Sequence, residues 1–391
     1  MAAVQRTILS EAVQIRRQAG EINFPGGRNL VSDAVGLGGH KREFNMNRYY
    51  YRQMNRQQQS VYHAMLEGFT SLASSFPVLR LSMRELSEIF FRLRLDNPWI
   101  FYVTSFSCRY AEGAESMQLT PVYMFEKKKI KEHQKALQGR VARLVRPAQA
   151  MRTDLEKELY IHDFICNHVT YDKLKKSYSH EIIGSLQQGI GVCEGIAKTV
   201  KLLCDEMGIP CIIAICDADP DHGVKYRHAW NVIKIQGQWY HLDATFDNSL
   251  GRYGQKRFDY FNLDDKKIFR DHRPVMYPIP ACTDGNHFYY KENRLSLTKM
   301  EDVGKRLRTV LRKKQEYFVF HWRGGYLTRE VLLEIVAEAA KAAQEKEKYI
   351  RMSFNYSQAV IQLRVTDTPP EEHVAIHQEE ADEGENLAED V

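Results

Sequence analysis

Residues 187–247 combine a helix that begins on a cysteine with a later hairpin that ends on an aspartate. Two glycines in residues 189–192 lead to Cys193, and apolar residues then recur at helical spacing. These apolar positions are Ile196, Val200, Leu203 and Met207. Gly208 and Pro210 end the pattern. The sequence therefore predicts a helix with Cys193 at its N-terminus.

A cysteine at a helix N-terminus has two interpretations. Unpaired backbone N–H groups and the positive end of the helix dipole favour the thiolate, which is the form that attacks a carbonyl. The same N–H groups could stabilise a developing oxyanion. Such a cysteine can also be a small buried hydrophobic residue, and Cys193 taken alone favours that interpretation.

The helix is followed by a predicted hairpin with strands over residues 228–235 and 238–243. A two-residue loop pairs Ile235 with Gln238, so that Trp230 faces Asp243 further along. His228 lies two residues further along the same face, where it is a diagonal neighbour of Asp243. A three-residue loop would place His228 and Asp243 on opposite faces.

Cys193, His228 and Asp243 together supply the roles that acyl transfer needs. A carboxylate that accepts from one imidazole nitrogen fixes the tautomer and leaves the other nitrogen for the thiol. The order nucleophile, base and orienter suits attack on an amide through a thioester. A lone histidine in a strand is usually structural, so the prediction rests on all three residues together.

Three blocks around these residues resemble the transglutaminase-like superfamily. The pattern Gly-x-Cys-x-Gly-x-Ala corresponds to residues 191–197, His-Ala-Trp-Asn to residues 228–231, and Trp-x-x-x-Asp-x-Thr to residues 239–245. The second block departs from the family pattern because Val232 follows its asparagine directly.

The resemblance covers residues 151–290, and Asp271-His272 are similar to a segment after the triad in bacterial members. It implies an α+β, papain-like fold, with the helix-start cysteine packed on an antiparallel sheet that carries the histidine and the aspartate. By the same resemblance Cys193 is the nucleophile, His228 the general base and Asp243 its orienter.

Four further residues are candidates near the predicted triad. Gln187 has a spacing from Cys193 similar to that of the oxyanion glutamine of papain-like enzymes, although a polar loop residue is the favoured interpretation. Trp230, His241 and Asp247 are expected behind the triad or in the cleft, with structural roles favoured for the last two.

The sequence predicts neither a metal nor a cofactor. One group of ligand-type side chains crowds the hairpin: His222, His228, His241 and Asp243. Another alternates along a loop: Asp217, Asp219 and Asp221. No HExxH pattern or paired cysteines accompany the first, and a solvated loop is favoured over a calcium site for the second. Seven irregularly spaced cysteines indicate reduced thiols.

A chain of 391 residues is long enough for several domains. We expect a disordered segment (1–45), an N-terminal α+β domain with a basic linker helix (46–150), the catalytic core (151–295), a small α+β domain (296–365) and an acidic disordered tail (366–391).

Local patterns predict elements outside the catalytic segment. Ser82 and Glu85 form a capping box for a helix that stops at residues 96–98. Strands are predicted over residues 99–107, 119–125 and 317–322, helices over residues 127–150, 154–168, 299–312 and 328–346, and a hairpin turn near Tyr356.

The net charge of +5 conceals an uneven distribution. Ten acidic residues follow Arg364 without a Lys or Arg, so the rest of the chain carries 55 basic and 40 acidic residues, or +15. The basic residues are dispersed among acids, so nucleic-acid binding is not favoured. No leader pattern and no apolar window of roughly 20 residues occurs, so we expect a cytoplasmic protein without a membrane span.

The predicted function is cysteine-dependent acyl transfer on protein or peptide amides, of the peptidase, deamidase or transglutaminase type. Hydrolysis is slightly favoured because it needs only water, whereas transamidation needs an amine site. The alternative is a non-catalytic interaction module that keeps the fold. A reactive Cys193 thiol would discriminate between the two.

Overall fold

The structure is a computed structural model that describes residues 48–218, 227–252, 254–369 and 377–378. The predicted N-terminal segment and most of the predicted acidic tail lie outside these residues, as do Asp219, Asp221 and His222. The chain divides into two compact units, Met1–Gly139 and Arg140–Val391. The finer domain boundaries given above stay predictions.

The first unit packs helices on an antiparallel sheet with the strand order β1-β3-β2. Its elements are α1 (Arg56–Thr70), β1 (Phe76–Leu79), α2 (Met83–Asp96), β2 (Val103–Arg109) and β3 (Ser116–Tyr123). Ser82 and Glu85 form the predicted capping box at the start of α2. The strand predicted from residue 99 begins later because Pro98–Ile100 form a 3₁₀ turn. Helix α3 (Lys127–Val145) runs across the boundary between the units.

The second unit contains a four-stranded antiparallel sheet with the order β6-β7-β8-β9. Its elements are α4 (Asp154–His168), β4 (Thr170–Tyr171), β5 (Ile190–Gly191), α5 (Cys193–Met207), β6 (Cys211–Cys216), β7 (His228–Ile235), β8 (Gln238–Leu242), α6 (Ala244–Gly251), β9 (Phe261–Leu263), α7 (Asp265–Ile268) and α8 (Tyr289–Glu292). Helix α5 packs against β6 and β7. This is the α+β core that the resemblance implies.

Helix α5 begins and ends where the sequence predicts. Gly208 adopts φ +80° and ends the helix in the left-handed conformation. Near its start, a Cβ on Gly195 would lie 2.1 Å from the carbonyl oxygen of Ser179. That carbonyl also accepts a 3.0 Å hydrogen bond from the backbone N–H of Val192. Only glycine fits this close approach, which fixes the chain immediately before Cys193.

The hairpin β7–β8 has the predicted two-residue loop. Gln236 and Gly237 have φ values of +49° and +86°, as a type I′ turn requires. Ile235 pairs with Gln238, and the register continues to the last pair before Asp243. The strands place His228 and Asp243 at the same end of the hairpin.

The rest of the second unit is a five-stranded sheet with the order β10-β11-β13-β12-β14. Its elements are β10 (Ser296–Leu297), α9 (Met300–Arg312), β11 (Tyr317–Trp322), α10 (Arg329–Gln344), β12 (Tyr349–Asn355), β13 (Val360–Thr366) and β14 (His377–Gln378). The predicted helices, strand and hairpin of this segment agree within two residues. Across the described parts of the chain, no helix is both long and apolar enough to cross a membrane.

Candidate active site

Cys193 is the first residue of α5 and is half-buried. The N-cap residue, Val192, makes no side-chain capping bond, so its side chain does not block the backbone N–H groups of the first turn. The sulfur lies 4.0 Å from the carbonyl oxygen of Arg227 and also interacts with the His228 side chain. The start of α5 and the start of β7 therefore bring the thiol and the imidazole together.

His228 and Asp243 are joined by a short hydrogen bond. Nε2 of His228 lies 2.6 Å from Oδ2 of Asp243, and both side chains are buried. The other carboxylate oxygen accepts from the backbone N–H groups of Thr245 (2.9 Å) and Phe246 (3.1 Å) at the start of α6. Asp243 is therefore both a helix cap and the partner of His228, which fixes its orientation.

The environment of His228 stabilises its charged form. Burial by itself lowers the pKa of His228, but the charge of Asp243 and the hydrogen bond to it raise that pKa well above 6.5. Burial likewise opposes ionisation of Asp243, and the two imidazoles bound to it hold its pKa well below the usual range. An imidazolium next to a thiol favours the thiolate.

Two of the further candidates form a chain of contacts behind His228. The ring of Trp230 stacks on His228 with centroids 5.9 Å apart. Its Nε1–H donates to Nδ1 of His241 at 3.0 Å, and Nε2 of His241 lies 2.9 Å from Oδ1 of Asp265. Burial lowers the pKa of His241, which fits the neutral tautomer that these bonds require. His241 thus orients Trp230, which packs against His228.

Asp247 belongs to a different cluster in the interior. Its Oδ2 lies 3.0 Å from Nε2 of His162, and its Oδ1 accepts from the backbone N–H of Tyr260. The half-buried Cys166 lies nearby, with its sulfur 3.9 Å from Nδ1 and 3.7 Å from Nε2 of His162. Both distances are within the range of hydrogen bonds to sulfur. This cysteine is a useful comparison for Cys193.

Gln187 lies half-buried in a π-helical turn, Gly184–Gln188, which ends at the left-handed Gly189. The turn leads directly into β5 and then Cys193. Its oxyanion role stays a prediction.

Sequence reasoning assigned no role to His272. Its Nε2 lies 2.9 Å from Oδ2 of Asp243, the same oxygen that binds His228, and its Nδ1 lies 2.8 Å from Oδ1 of Asp271. The only sequence signal was the resemblance of Asp271-His272 to a segment of bacterial family members. That signal placed the pair after the predicted triad but did not place it beside Asp243.

Two groups of ligand-type side chains are close enough to hold a metal ion, among the residues that the structure describes: His228, Asp243 and His272, and His241, Asp265 and Cys282. In the first group one oxygen of Asp243 already accepts from both imidazoles. In the second, the bond from Trp230 to Nδ1 leaves the proton of His241 on Nε2, which therefore lacks a lone pair for a metal. Burial raises the pKa of the Cys282 thiol, which disfavours the thiolate that a metal prefers.

Asp217, the described member of the three alternating aspartates, forms an ion pair with Arg227. Its Oδ1 accepts from Nε and Nη2 of Arg227 at 3.2 and 3.0 Å. This ion pair lies directly before His228.

The fold and the arrangement of the site define a transglutaminase-like core. Residues 141–244 match the model of the transglutaminase-like superfamily, and this span includes Cys193, His228 and Asp243. The match identifies residues 141–244 as a transglutaminase-like segment of the chain.

The curated relatives include kyphoscoliosis peptidase of mouse and of human. They are 23% and 26% identical over an alignment of 143 residues, and the match covers 32% of this chain. The chain spans 22% of the length of each relative.

Solved structures that are similar to part of this chain include a TGase and a proposed cysteine protease of Cytophaga hutchinsonii. The first is 13% identical and the matched region covers 44% of this chain and 50% of that one, with a TM-score of 0.24. The second is 19% identical and covers 33% and 52%, also with a TM-score of 0.24. Overlaps this low add nothing to the family match.

Proposed function

We propose that this protein is a cysteine-dependent enzyme that transfers the acyl group of a protein or peptide amide through a thioester. The observation that carries the proposal is the 2.6 Å bond from His228 to Asp243, with the imidazole also in contact with Cys193. Because Nε2 of His228 is bound to Asp243, Nδ1 is the nitrogen that serves the thiol.

In the proposed first step the Cys193 sulfur attacks the amide carbon. The C–N bond then breaks as imidazolium His228 gives its proton to the leaving amine, which leaves a thioester and a neutral imidazole. In the second step His228 takes a proton from water as the water oxygen attacks the thioester carbon. The C–S bond breaks, and the thiolate and imidazolium are restored.

The negative oxygen that forms in each step needs donors. The proposed donors are the backbone N–H groups at the start of α5, and the helix dipole adds a favourable field. Gln187, in the turn before β5, is proposed as an additional donor. Trp230 and His241 are proposed to hold the His228 ring in the plane that both proton transfers need.

Hydrolysis is the proposed outcome when no amine competes. Water needs no dedicated site, whereas transamidation needs one that holds an amine against the thioester. The acceptor would be revealed by running the reaction with and without a fluorescent primary amine and measuring its incorporation into the peptide product.

The alternative, a non-catalytic interaction module, places no requirement on Cys193. An intact and mutually oriented Cys193, His228 and Asp243 favours the enzyme, because binding alone does not need an ordered base behind a thiol.

The proposal is tested by trapping the acyl-enzyme. The full chain is mixed with a set of synthetic peptides and unfolded proteins, quenched in acid, and measured by intact-protein mass spectrometry. We expect an added acyl mass in the parent and in Cys166→Ser, and none in Cys193→Ala. An adduct that persists in Cys193→Ala, or turnover that this substitution does not reduce, would contradict the proposal.

A further inference from the structure

Asp243 receives two imidazoles on one carboxylate oxygen. Oδ2 lies 2.6 Å from Nε2 of His228 and 2.9 Å from Nε2 of His272. The two rings meet edge to face with their centroids 5.3 Å apart. His272 is buried, and its hydrogen bond to this carboxylate joins it to the site.

The opposite nitrogen of His272 also faces a carboxylate. Nδ1 lies 2.8 Å from Oδ1 of Asp271. Ionised carboxylates only accept hydrogen bonds, so both nitrogens of His272 must donate, and the ring must be an imidazolium. Burial disfavours that charge, but the hydrogen bonds to Asp243 and Asp271 outweigh it and raise the pKa of His272.

Residues of the β12–β13 hairpin stabilise Asp271 through hydrogen bonds, directly and through Tyr260. Tyr260 donates its hydroxyl to Oδ2 of Asp271 at 2.6 Å, and Nε2 of Gln358 donates to the same oxygen at 3.3 Å. Nδ2 of Asn355 donates to the Tyr260 hydroxyl at 3.2 Å. The segment after residue 295 thereby reaches Asp243 through Asp271 and His272.

We propose that His272 is a positioning residue: as an imidazolium between Asp243 and Asp271, it fixes the Asp243 carboxylate and offsets part of its charge on His228. The inference rests on the proposed function, since it assigns His272 to the same reaction. The role proposed for His272 does not include contact with substrate.

We expect the charge on His272 to set the pH range over which Cys193 and His228 form a thiolate–imidazolium pair. The ionisable groups that surround His272 are Asp243, Asp271, His228, His241 and Tyr260. Replacing His272 by Gln keeps a donor for Asp243 but removes a cation. The thiolate then forms at higher pH because a nearby positive charge is lost, and the His228 imidazolium persists to higher pH because a like charge is lost.

The test measures the rate of Cys193 alkylation by iodoacetamide against pH in the full chain. The rate should show two inflections, one where the ion pair forms and one where His228 loses its proton. In His272→Gln both should move up by about one pH unit, as expected for removal of a charge at this separation. The matched control is His321→Gln, since His321 is also buried but contacts Ser296 and Phe288. It should leave both inflections in place.

A second variant and a spectroscopic measurement keep the inference testable if His272→Gln does not fold. Asp271→Asn removes one of the two carboxylates that hold His272 charged, so the ring should lose its proton at lower pH. Loss of the nearer positive charge then outweighs loss of the more distant negative one, and the inflections should move in the same direction by a smaller amount. In the parent protein, ¹⁵N chemical shifts of His272, assigned by their loss in His272→Gln, should show both nitrogens protonated at pH 7. An unprotonated nitrogen, or inflections that do not move while only the rate falls, would overturn the inference.

The two proposals fail separately. If acyl-enzyme forms but the inflections do not move, His272 is only structural and the enzyme remains. If the inflections move but no acyl-enzyme forms, His272 acts on Cys193 and His228 as inferred while the proposed function is wrong.

Discussion

Asp243 links His228 to the start of α6, because one carboxylate oxygen binds the imidazole and the other caps the helix. The carboxylate cannot rotate away from His228 without also releasing two backbone N–H groups. The geometry behind the thiol is therefore maintained by the fold itself.

Asp243→Asn should separate capping from the proposed chemistry. The amide oxygen can still accept from Thr245 and Phe246, but its NH₂ group would face Nε2 of His228 and favour the wrong tautomer. We expect the rate of Cys193 acylation or alkylation below pH 7 to fall on the order of 10³-fold. Stopped-time mass spectrometry of the Cys193 peptide gives the rate.

The matched control is Asp264→Asn, because Asp264 also caps a helix, through a 2.9 Å bond from the backbone N–H of Lys267. This control should retain the parent rate. A rate in Asp243→Asn that stays close to that of the control would show that the carboxylate is not needed.

Gly195→Ala should destabilise the second unit. The added Cβ would meet the Ser179 carbonyl oxygen at 2.1 Å, so the backbone before Cys193 must shift. We expect a loss of about 2–4 kcal/mol in the free energy of unfolding, measured by urea denaturation.

Gly251→Ala is the comparison, since a Cβ there would lie 3.8 Å from the Cα of Lys256, an ordinary contact distance. Its change should stay within about 1 kcal/mol. Equal effects of the two substitutions would contradict the close-approach explanation.

Glu158 should make stability depend on pH. Burial raises its pKa from 4.5 to about 8, and Nδ2 of Asn262 donates to its Oε2 at 2.9 Å. Because the unfolded chain loses this proton first, the free energy of unfolding should fall as pH rises from about 4.5 to about 8. The fall attributable to Glu158 is on the order of 2–4 kcal/mol.

Glu158→Gln keeps the hydrogen bond to Asn262 and removes the titration. Urea unfolding at pH 5.5 and pH 8 should therefore differ less in Glu158→Gln than in the parent, while the exposed Glu334→Gln should behave as the parent does. The same pH dependence in all three proteins would refute this prediction.

The sequence was informative where local rules set the structure. A two-residue turn with positive φ at both positions has one register, so the placement of His228 near Asp243 could be worked out by counting. The glycine at the end of α5 and the capping box before α2 are similarly local. The α+β class and the family resemblance followed from these features and from the three blocks, and the family match confirms them.

The contacts that could not be predicted join residues distant in sequence. His272 reaches Asp243 across 29 residues, and Asp247 binds His162 across 85. No periodicity determines which buried histidine meets which carboxylate, because the choice depends on how α4, α6 and the loop after β9 pack. The early 3₁₀ turns and the π-helical turn at Gln187 were missed for a related reason, since tertiary packing selects them.

The most direct test of the central claim is the pH dependence of iodoacetamide modification at Cys193, in the parent and in His228→Ala. Peptide mass spectrometry of one digest also reports Cys166, a half-buried thiol near the C-terminal end of α4, where the helix dipole disfavours a thiolate. We expect Cys193 to be modified below pH 7 well ahead of Cys166, and this advantage to disappear in His228→Ala. Modification of Cys193 at the rate of Cys166, unchanged by the substitution, would contradict a thiolate–imidazolium pair and favour the interaction module.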